Sequence, residues 1–560
     1  MLSFSAILFI LLSLEIHNCV PVEELQDVLD WDMTVYTSDG KVKGHLINSH
    51  MENISYYAFQ SIPYAEPPVG NLRFRPAKPI RPWSGTLDAT KTPKACPQPS
   101  LPESEMSEDC LVLNVFIPSS RPNKLLPVIL WIHGGYFQIG HGGMANYPPD
   151  LLVNENVIVA TINYRLGVLG FLSAGDKTLP GNNGIKDQIL AMKWIHKNIE
   201  NFGGNPYEIT LMGQSAGGAE IGILLQTSLT QGLFSAAILQ SGNGLNLWSR
   251  SPTPKTTTQK IAEYFKIRHN TTEELIEELQ KIEWTDLILG SNKVFVMDTA
   301  FSNPANGLTI GPVVEPHADG VLTGHVHDNL ERGNFHRVPI LTGFTSAEGN
   351  LLAPAFDSMK MFLKLYDIFP NKLAPNDLNV NSAELTAIGK KVKEFYFGSE
   401  SVTASKEAFV NFVTEHEFIQ PANEFVRLVS KYARTYFYRF SYVGQLAVIE
   451  DEVRELPGAV HCEELQYLFC SPLENPPSDT DLVTRKRLVK LWTNFAKYHN
   501  PTPDVDPLFQ NILWKPVHPT QIHYLDIDTE LSMLENPNKE QMAFWASIYK
   551  RYALPPLDTY

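Results

Sequence analysis

Short stretches rich in apolar and β-branched residues recur at 128–132, 157–162, 208–212 and 236–239, with longer segments of helical pattern between them. A strand apolar at every position buries both its faces, which points to a mostly parallel sheet with helices on either side. The pattern therefore predicts an α/β architecture. Residues 188–199 form the clearest crossover helix, and Phe202-Gly203-Gly204-Asn205-Pro206 is a strong stop after it. Further strands are expected at 338–343 and 434–442, and helical insertions at 260–282 and 385–432. Such insertions would lie over the carboxyl ends of the strands, where open α/β sheets bind ligands.

No internal repeat or low-complexity linker divides the chain, so the expectation is one large catalytic domain over 20–560 behind a leader at 1–19. The leader holds the apolar run Phe4 to Leu12, too short to span a bilayer and followed by polar sequence, as in a signal peptide. No later run reaches 18 apolar residues, and the last residues carry no anchor or retention signal, so the expected product is exported, without a membrane anchor. In that setting Asn53 and Asn270 are glycosylation candidates, whereas Pro501 excludes Asn500.

Composition narrows the classes further. Of 560 residues 43% are hydrophobic and 19% charged, ample for a large core. The formal charge is -16, and no basic run is long enough to follow a phosphate backbone, so nucleic acid is not an expected partner. Cys96 and Cys110 bracket a polar, Pro-containing stretch that reads as a surface loop; a bridge there would close a ring worth about 3 kcal/mol. Cys462 and Cys470 flank a segment of helical pattern, where a separation of roughly 12 Å prevents bridging. Two unbridged, mostly buried thiols are expected there.

Gly213-Gln214-Ser215-Ala216-Gly217 is the one G-x-S-x-G in the chain, and it sits between an expected strand and an apolar helix. In that context the motif is a nucleophile elbow, because the serine takes a strained conformation for which flanking glycines leave room. A serine hydroxyl is a weak nucleophile at neutral pH. It needs a base to take its proton and donors for the oxyanion that follows. Gly134 and Gly135, in the turn His133-Gly134-Gly135 after the strand at 128–132, are expected to supply two donors and the amide of Ala216 the third.

Taken together, the chain resembles the type-B carboxylesterases from about Asp32 to Tyr549. The motifs are Ser107-Glu108-Asp109-Cys110-Leu111, His133-Gly134-Gly135, Asn163-Tyr164-Arg165-Leu166-Gly167, Gly181-Asn182-Asn183-Gly184, Asp187-Gln188 and the serine elbow. The resemblance implies an α/β-hydrolase fold and hydrolysis of small-molecule carboxylic esters through an acyl-enzyme, without metal or organic cofactor. It assigns the base to His461, in Gly458-Ala459-Val460-His461-Cys462-Glu463-Glu464-Leu465, and the acid to Glu348, in Gly343-Phe344-Thr345-Ser346-Ala347-Glu348-Gly349. It also pairs Cys96 with Cys110 and suggests that Ser241 supports the triad from behind. Arg73-Phe74, the 163–167 segment and Asp187-Gln188 are expected to hold the fold. The order Ser215, Glu348, His461 is that of α/β-hydrolases.

Departures from the family narrow the substrate. Cholinesterase members carry a Glu before the nucleophile and a Trp in the first disulfide loop. Here Gln214 is neutral and residues 94–110 contain no aromatic, so a quaternary ammonium would lack a cation–π partner there. The G-Q-S-A-G form is similar to that of insect juvenile hormone esterases. Neutral apolar esters are the expected substrates: hormone, odorant or xenobiotic. The rival reading is a catalytically inactive, cholinesterase-like ligand-binding or adhesion protein, a class that usually lacks a triad residue. The oligomeric state is not encoded in any motif.

Overall fold

The computed structural model describes residues 33–49, 54–120, 123–301, 308–315, 317–447, 454–469 and 476–558. The leader, Asn53 and Cys470 lie outside the described residues. Among those described, thirteen strands form one sheet: β1 (Met33–Tyr36), β2 (Lys41–Asn48), β3 (Ser55–Pro63), β4 (Thr86–Asp88), β5 (Val112–Pro118), β6 (Leu126–Ile132), β7 (Ile158–Ile162), β8 (Gly204–Gln214), β9 (Ala236–Gln240), β10 (Ile340–Thr345), β11 (Thr435–Phe440), β12 (His523–Ile527) and β13 (Leu531–Glu535). Their order is β1-β2-β3-β5-β7-β6-β8-β9-β10-β11-β12-β13, with β4 beside β2.

From β7 to β12 every neighbouring pair is parallel, and antiparallel pairs flank this centre on both sides. The central strands need their unbroken apolar runs because both faces are covered. Leu130 and Ile132 of β6 enter one core, and Ile129 and Trp131 enter the other, as the two-residue period of a strand requires.

The six expected strands all form, within a few residues of their predicted ends. The crossover helix is longer than its pattern suggested: α1 (Asn183–Asn198) begins earlier and runs into a tight turn closed by Gly203 at φ 88°. The insertions are helical but broken. The first comprises Pro254–Tyr264 and Thr272–Gln280, interrupted at Lys266 (φ 56°) and restarted where Thr271 accepts the Glu274 amide at 3.2 Å. The second comprises Ser382–Phe397, Lys406–Val413, a wide turn at Thr414–Ile419 and Gln420–Val429. The segment after His461 is less helical than expected. A turn with Cys462 at φ 72° precedes one short helix, Leu465–Leu468, and Cys462 is buried.

Ionic and covalent ties fix the loops around this sheet. Arg165 and Asp187 form a fully buried two-pronged pair, with both nitrogen–oxygen distances at 2.7 Å. Arg73 grips Glu108 in the same way and also donates to the carbonyl of Ile282, tying the first insertion down. Cys96 and Cys110 are bonded and buried. Inside their ring Gln98 exchanges two hydrogen bonds of 2.9 Å with the backbone of Gly140. The disulfide loop thus backs the segment that follows β6.

Candidate active site

The loops after β6, β8, β9, β10 and β11 leave the sheet at the carboxyl ends of parallel strands, and the candidate residues gather there. Ser215 follows β8 directly and opens α2 (Ala216–Leu224), whose nine residues are all buried. Its backbone angles are φ 57° and ψ −124°, a conformation costly for any residue with a side chain. Neighbours hold it there: its amide donates to the Gln240 carbonyl at 2.8 Å, and its carbonyl accepts from Ala219 at 3.0 Å. The turn is possible because Gly217 has no Cβ; one would lie 2.1 Å from the Ile132 carbonyl.

The turn His133-Gly134-Gly135 lies against this elbow. A Cβ on Gly134 would stand 3.0 Å from that of Ser215 and 2.7 Å from the Gln214 carbonyl, so the turn packs against Ser215 with no room between. Gly135 takes φ 111°, and its carbonyl accepts the amides of Gln138 and Ile139 at 2.9 and 3.0 Å.

Glu348 sits three residues beyond β10 and is fully buried. One carboxylate oxygen accepts the Thr345 amide at 2.8 Å; the other lies 2.5 Å from Nδ1 of His461. A carboxylate only accepts, so Nδ1 carries the hydrogen and Nε2 presents a lone pair. The amide nitrogen of Gln214 lies 3.1 Å from that Nε2. Sequence reasoning used Gln214 only as a missing charge and gave no sign of this contact.

Two further features escaped the sequence. An apolar wall stands beside the imidazole: Phe418 lies 5.1 Å from the His461 ring, centroid to centroid, and Trp248 lies 5.7 Å from Phe418. Asn246 and Trp248 both donate to the Glu417 carbonyl, at 2.6 and 3.2 Å, which fixes the wide turn carrying Phe418. The segment takes a π-type turn, a feature frequent at functional sites, which no sequence pattern announces. The other feature is Glu464, buried three residues after His461. It accepts from Gln240 at 3.0 Å, and Gln240 in turn accepts from Trp492 at 3.1 Å. Burial, then the charge of Glu348, pushes its carboxyl up to about 7. Adjacent Glu463 instead meets Arg454 at 3.1 Å.

Ser241 takes φ 50° and is buried, but its hydroxyl makes no hydrogen bond among the described residues. The expected support from its side chain is therefore not seen as a bond; its amide donates to the Gly343 carbonyl at 2.9 Å. Asn270 is exposed just before the helix Thr272–Gln280. No described helix is long and apolar enough to cross a membrane.

A mostly parallel sheet with an elbow at the end of a central strand, facing a buried carboxylate–imidazole pair, defines an α/β-hydrolase. The Carboxylesterase family profile matches residues 32–545; the chain belongs to that family and is a carboxylic ester hydrolase. It is 33% identical to the juvenile hormone esterase of Tribolium castaneum over 86% of this chain and 85% of that protein. It is 31% identical to venom carboxylesterase-6 of Apis mellifera, over 92% and 94%. The crystal structure of juvenile hormone esterase from Manduca sexta, with OTFP covalently attached, superposes with a TM-score of 0.82 at 30% identity. That match covers 93% of this chain and all of that one.

Proposed function

We propose that this carboxylic ester hydrolase is an exported serine esterase, folded as one catalytic domain over 20–560, that cleaves neutral, apolar esters through an acyl-enzyme. Ser215 is the nucleophile, His461 the general base and Glu348 the acid that orients it. The observation that carries this reading is the buried Glu348–His461 contact of 2.5 Å, one residue removed from a serine held at φ 57° through the Gln214 bridge.

His461 takes the Ser215 proton at Nε2 as the oxygen attacks the ester carbonyl. The amides of Gly134, Gly135 and Ala216 receive the resulting oxyanion, and Glu348 stabilises the imidazolium. The imidazolium then returns the proton to the departing alcohol, and water attacks the acyl-enzyme by the same route in reverse. In the resting protein the Gln214 amide donates to the lone pair that will accept this proton.

The wall of Trp248 and Phe418 supports an apolar acyl group, and the neutral Gln214 offers no charge to a cationic alcohol. Hormone, odorant and xenobiotic esters share that chemistry. Export accords with the leader, and Asn270 is accessible to a glycan. A panel of p-nitrophenyl esters from acetate to longer acyl chains tests the proposal, with wild type beside Ser215→Ala. Turnover should fall roughly 10⁴- to 10⁶-fold in the variant. A folded wild type that hydrolyses none of the panel would replace this reading with a ligand-binding one.

A further inference from the structure

The three peptide groups assigned as oxyanion donors share a feature that no motif announces. In each, the carbonyl on the far side of the same peptide accepts a hydrogen bond. The Gly134 amide belongs to the peptide whose carbonyl is that of His133, and the Tyr164 hydroxyl donates to it at 2.8 Å. The Gly135 amide shares a peptide with the Gly134 carbonyl, which lies 2.8 Å from Nδ1 of His133. The Ala216 amide shares one with the Ser215 carbonyl, bonded to Ala219 at 3.0 Å.

A carbonyl can only accept, so the His133 ring carries its hydrogen on Nδ1. Burial holds that imidazole down to about 3, so it is neutral and keeps a single hydrogen for this bond. Its ring stacks on Tyr164, with centroids 4.4 Å apart and planes at 20°, and a Cβ on Gly140 would reach 2.3 Å from Nδ1. Tyr164 is itself fully buried behind the turn.

Behind Tyr164 lies Glu220, on α2 and wholly buried, with Tyr164 and Gln188 as the polar groups facing it. Neither carboxyl oxygen of Glu220 and neither amide atom of Gln188 makes a well-formed hydrogen bond among the described residues, although Tyr164 and Gln188 stand close enough to the carboxyl to interact with it. Three polar side chains thus converge in the core behind the turn, where an unneeded carboxyl would cost several kcal/mol.

Resting on the serine-esterase reading, we propose that Tyr164, backed by Glu220, and His133 are positioning residues for the oxyanion site: they fix the two glycine peptides and polarise them toward the carbonyl oxygen of the substrate. A hydrogen bond accepted at a carbonyl strengthens the donor at the other end of the same peptide, by roughly 10–30% in condensed-phase estimates. The gain is realised only when charge develops on the oxygen, so it acts on the transition state rather than on substrate binding. Burial raises the Glu220 carboxyl well above the usual range. It therefore holds a proton to turn toward the Tyr164 oxygen, whose own hydrogen is committed to His133. Glu220 is a carboxylic acid used for its hydrogen, not its charge.

The test uses the purified full-length enzyme, with a p-nitrophenyl ester as substrate and a trifluoromethyl ketone as a tetrahedral trap. Tyr164→Phe removes one oxygen and leaves the ring stack. It should lower kcat by about tenfold, leave KM within about twofold and weaken the ketone by the same factor as kcat/KM. Glu220→Gln keeps a neutral donor and should stay within about threefold of wild type, whereas Glu220→Met should fall as Tyr164→Phe does. A purely structural role would lower the melting temperature without splitting kcat from KM. Wild-type kcat and ketone affinity in Tyr164→Phe overturn the proposal; so does equal activity in Glu220→Gln and Glu220→Met, which decides the matter should Tyr164→Phe not fold. Failure of the serine-esterase reading shows separately, as wild-type turnover that survives Ser215→Ala.

Discussion

The two halves of the site are made of different material. On the Ser215 side, backbone does the work: the serine is pinned at a strained φ by bonds to Gln240 and Ala219, and Gly134 and Gly217 fit only because they lack a Cβ. On the His461 side, side chains do it: the pair Glu348–His461 and the set Glu464–Gln240–Trp492 are two buried hydrogen-bonded groups, coupled by the charge of Glu348 on Glu464 and bordered by Phe418. Backbone geometry is specified by local sequence and tolerates almost no added atom. A side-chain network is assembled from distant segments, can be retuned residue by residue and responds to pH.

The sharpest way to break this contrast is Gly134→Ala. Its Cβ would enter within 2.7 Å of the Gln214 carbonyl, so kcat should fall about 10²- to 10³-fold in a chain that still melts cooperatively. Near-normal turnover would mean that the backbone half is not rigid. Next is the Cys96–Cys110 bond, which backs the same half through Gln98 and Gly140. Replacing both cysteines with alanine should lower unfolding free energy by about 3 kcal/mol in urea titrations.

The base half should show its character in pH. The folded-state value of Glu464, raised from 4.5 to about 7, makes its contribution to stability complete below about pH 4.5, and that contribution is lost as pH rises through 7. Glu464→Gln should flatten this decline, by about 2 kcal/mol between pH 5 and pH 8 in denaturant titrations. An unchanged slope would remove Glu464 from the network's electrostatics. The smallest effect is expected of Phe418→Ala, which should retain Ser215-dependent turnover while shifting preference toward longer acyl chains by about tenfold. Collapse of activity there would show the wall to be as intolerant as the elbow.

The same division decided what could be read from the chain. The parallel centre was legible because strands covered on both faces need unbroken apolar runs, and the elbow because its glycines and serine are adjacent in sequence. Glu348 and His461 were reached only by resemblance, since a loop after a strand looks alike around most acids and histidines. The contact of Gln214 with His461, the Trp248–Phe418 wall and the carbonyl bonds of Tyr164 and His133 all join segments far apart in the chain. No spacing rule reports such meetings. The antiparallel strands at the start of the sheet were missed as well, because their mixed burial breaks up the apolar runs on which strand recognition relied.

Strand order also sets a timetable. β8 lies in the middle of the sheet, yet β10 and β11, which deliver the segments of Glu348 and His461, come much later in the chain. A ribosome that has released the first 300 residues has already made the entire elbow, with its strained serine, but neither Glu348 nor His461. On the proposed mechanism, reactivity therefore arrives with the last third of the polypeptide, once β11 takes its place beside β10, so a truncated or half-threaded chain carries Ser215 unarmed.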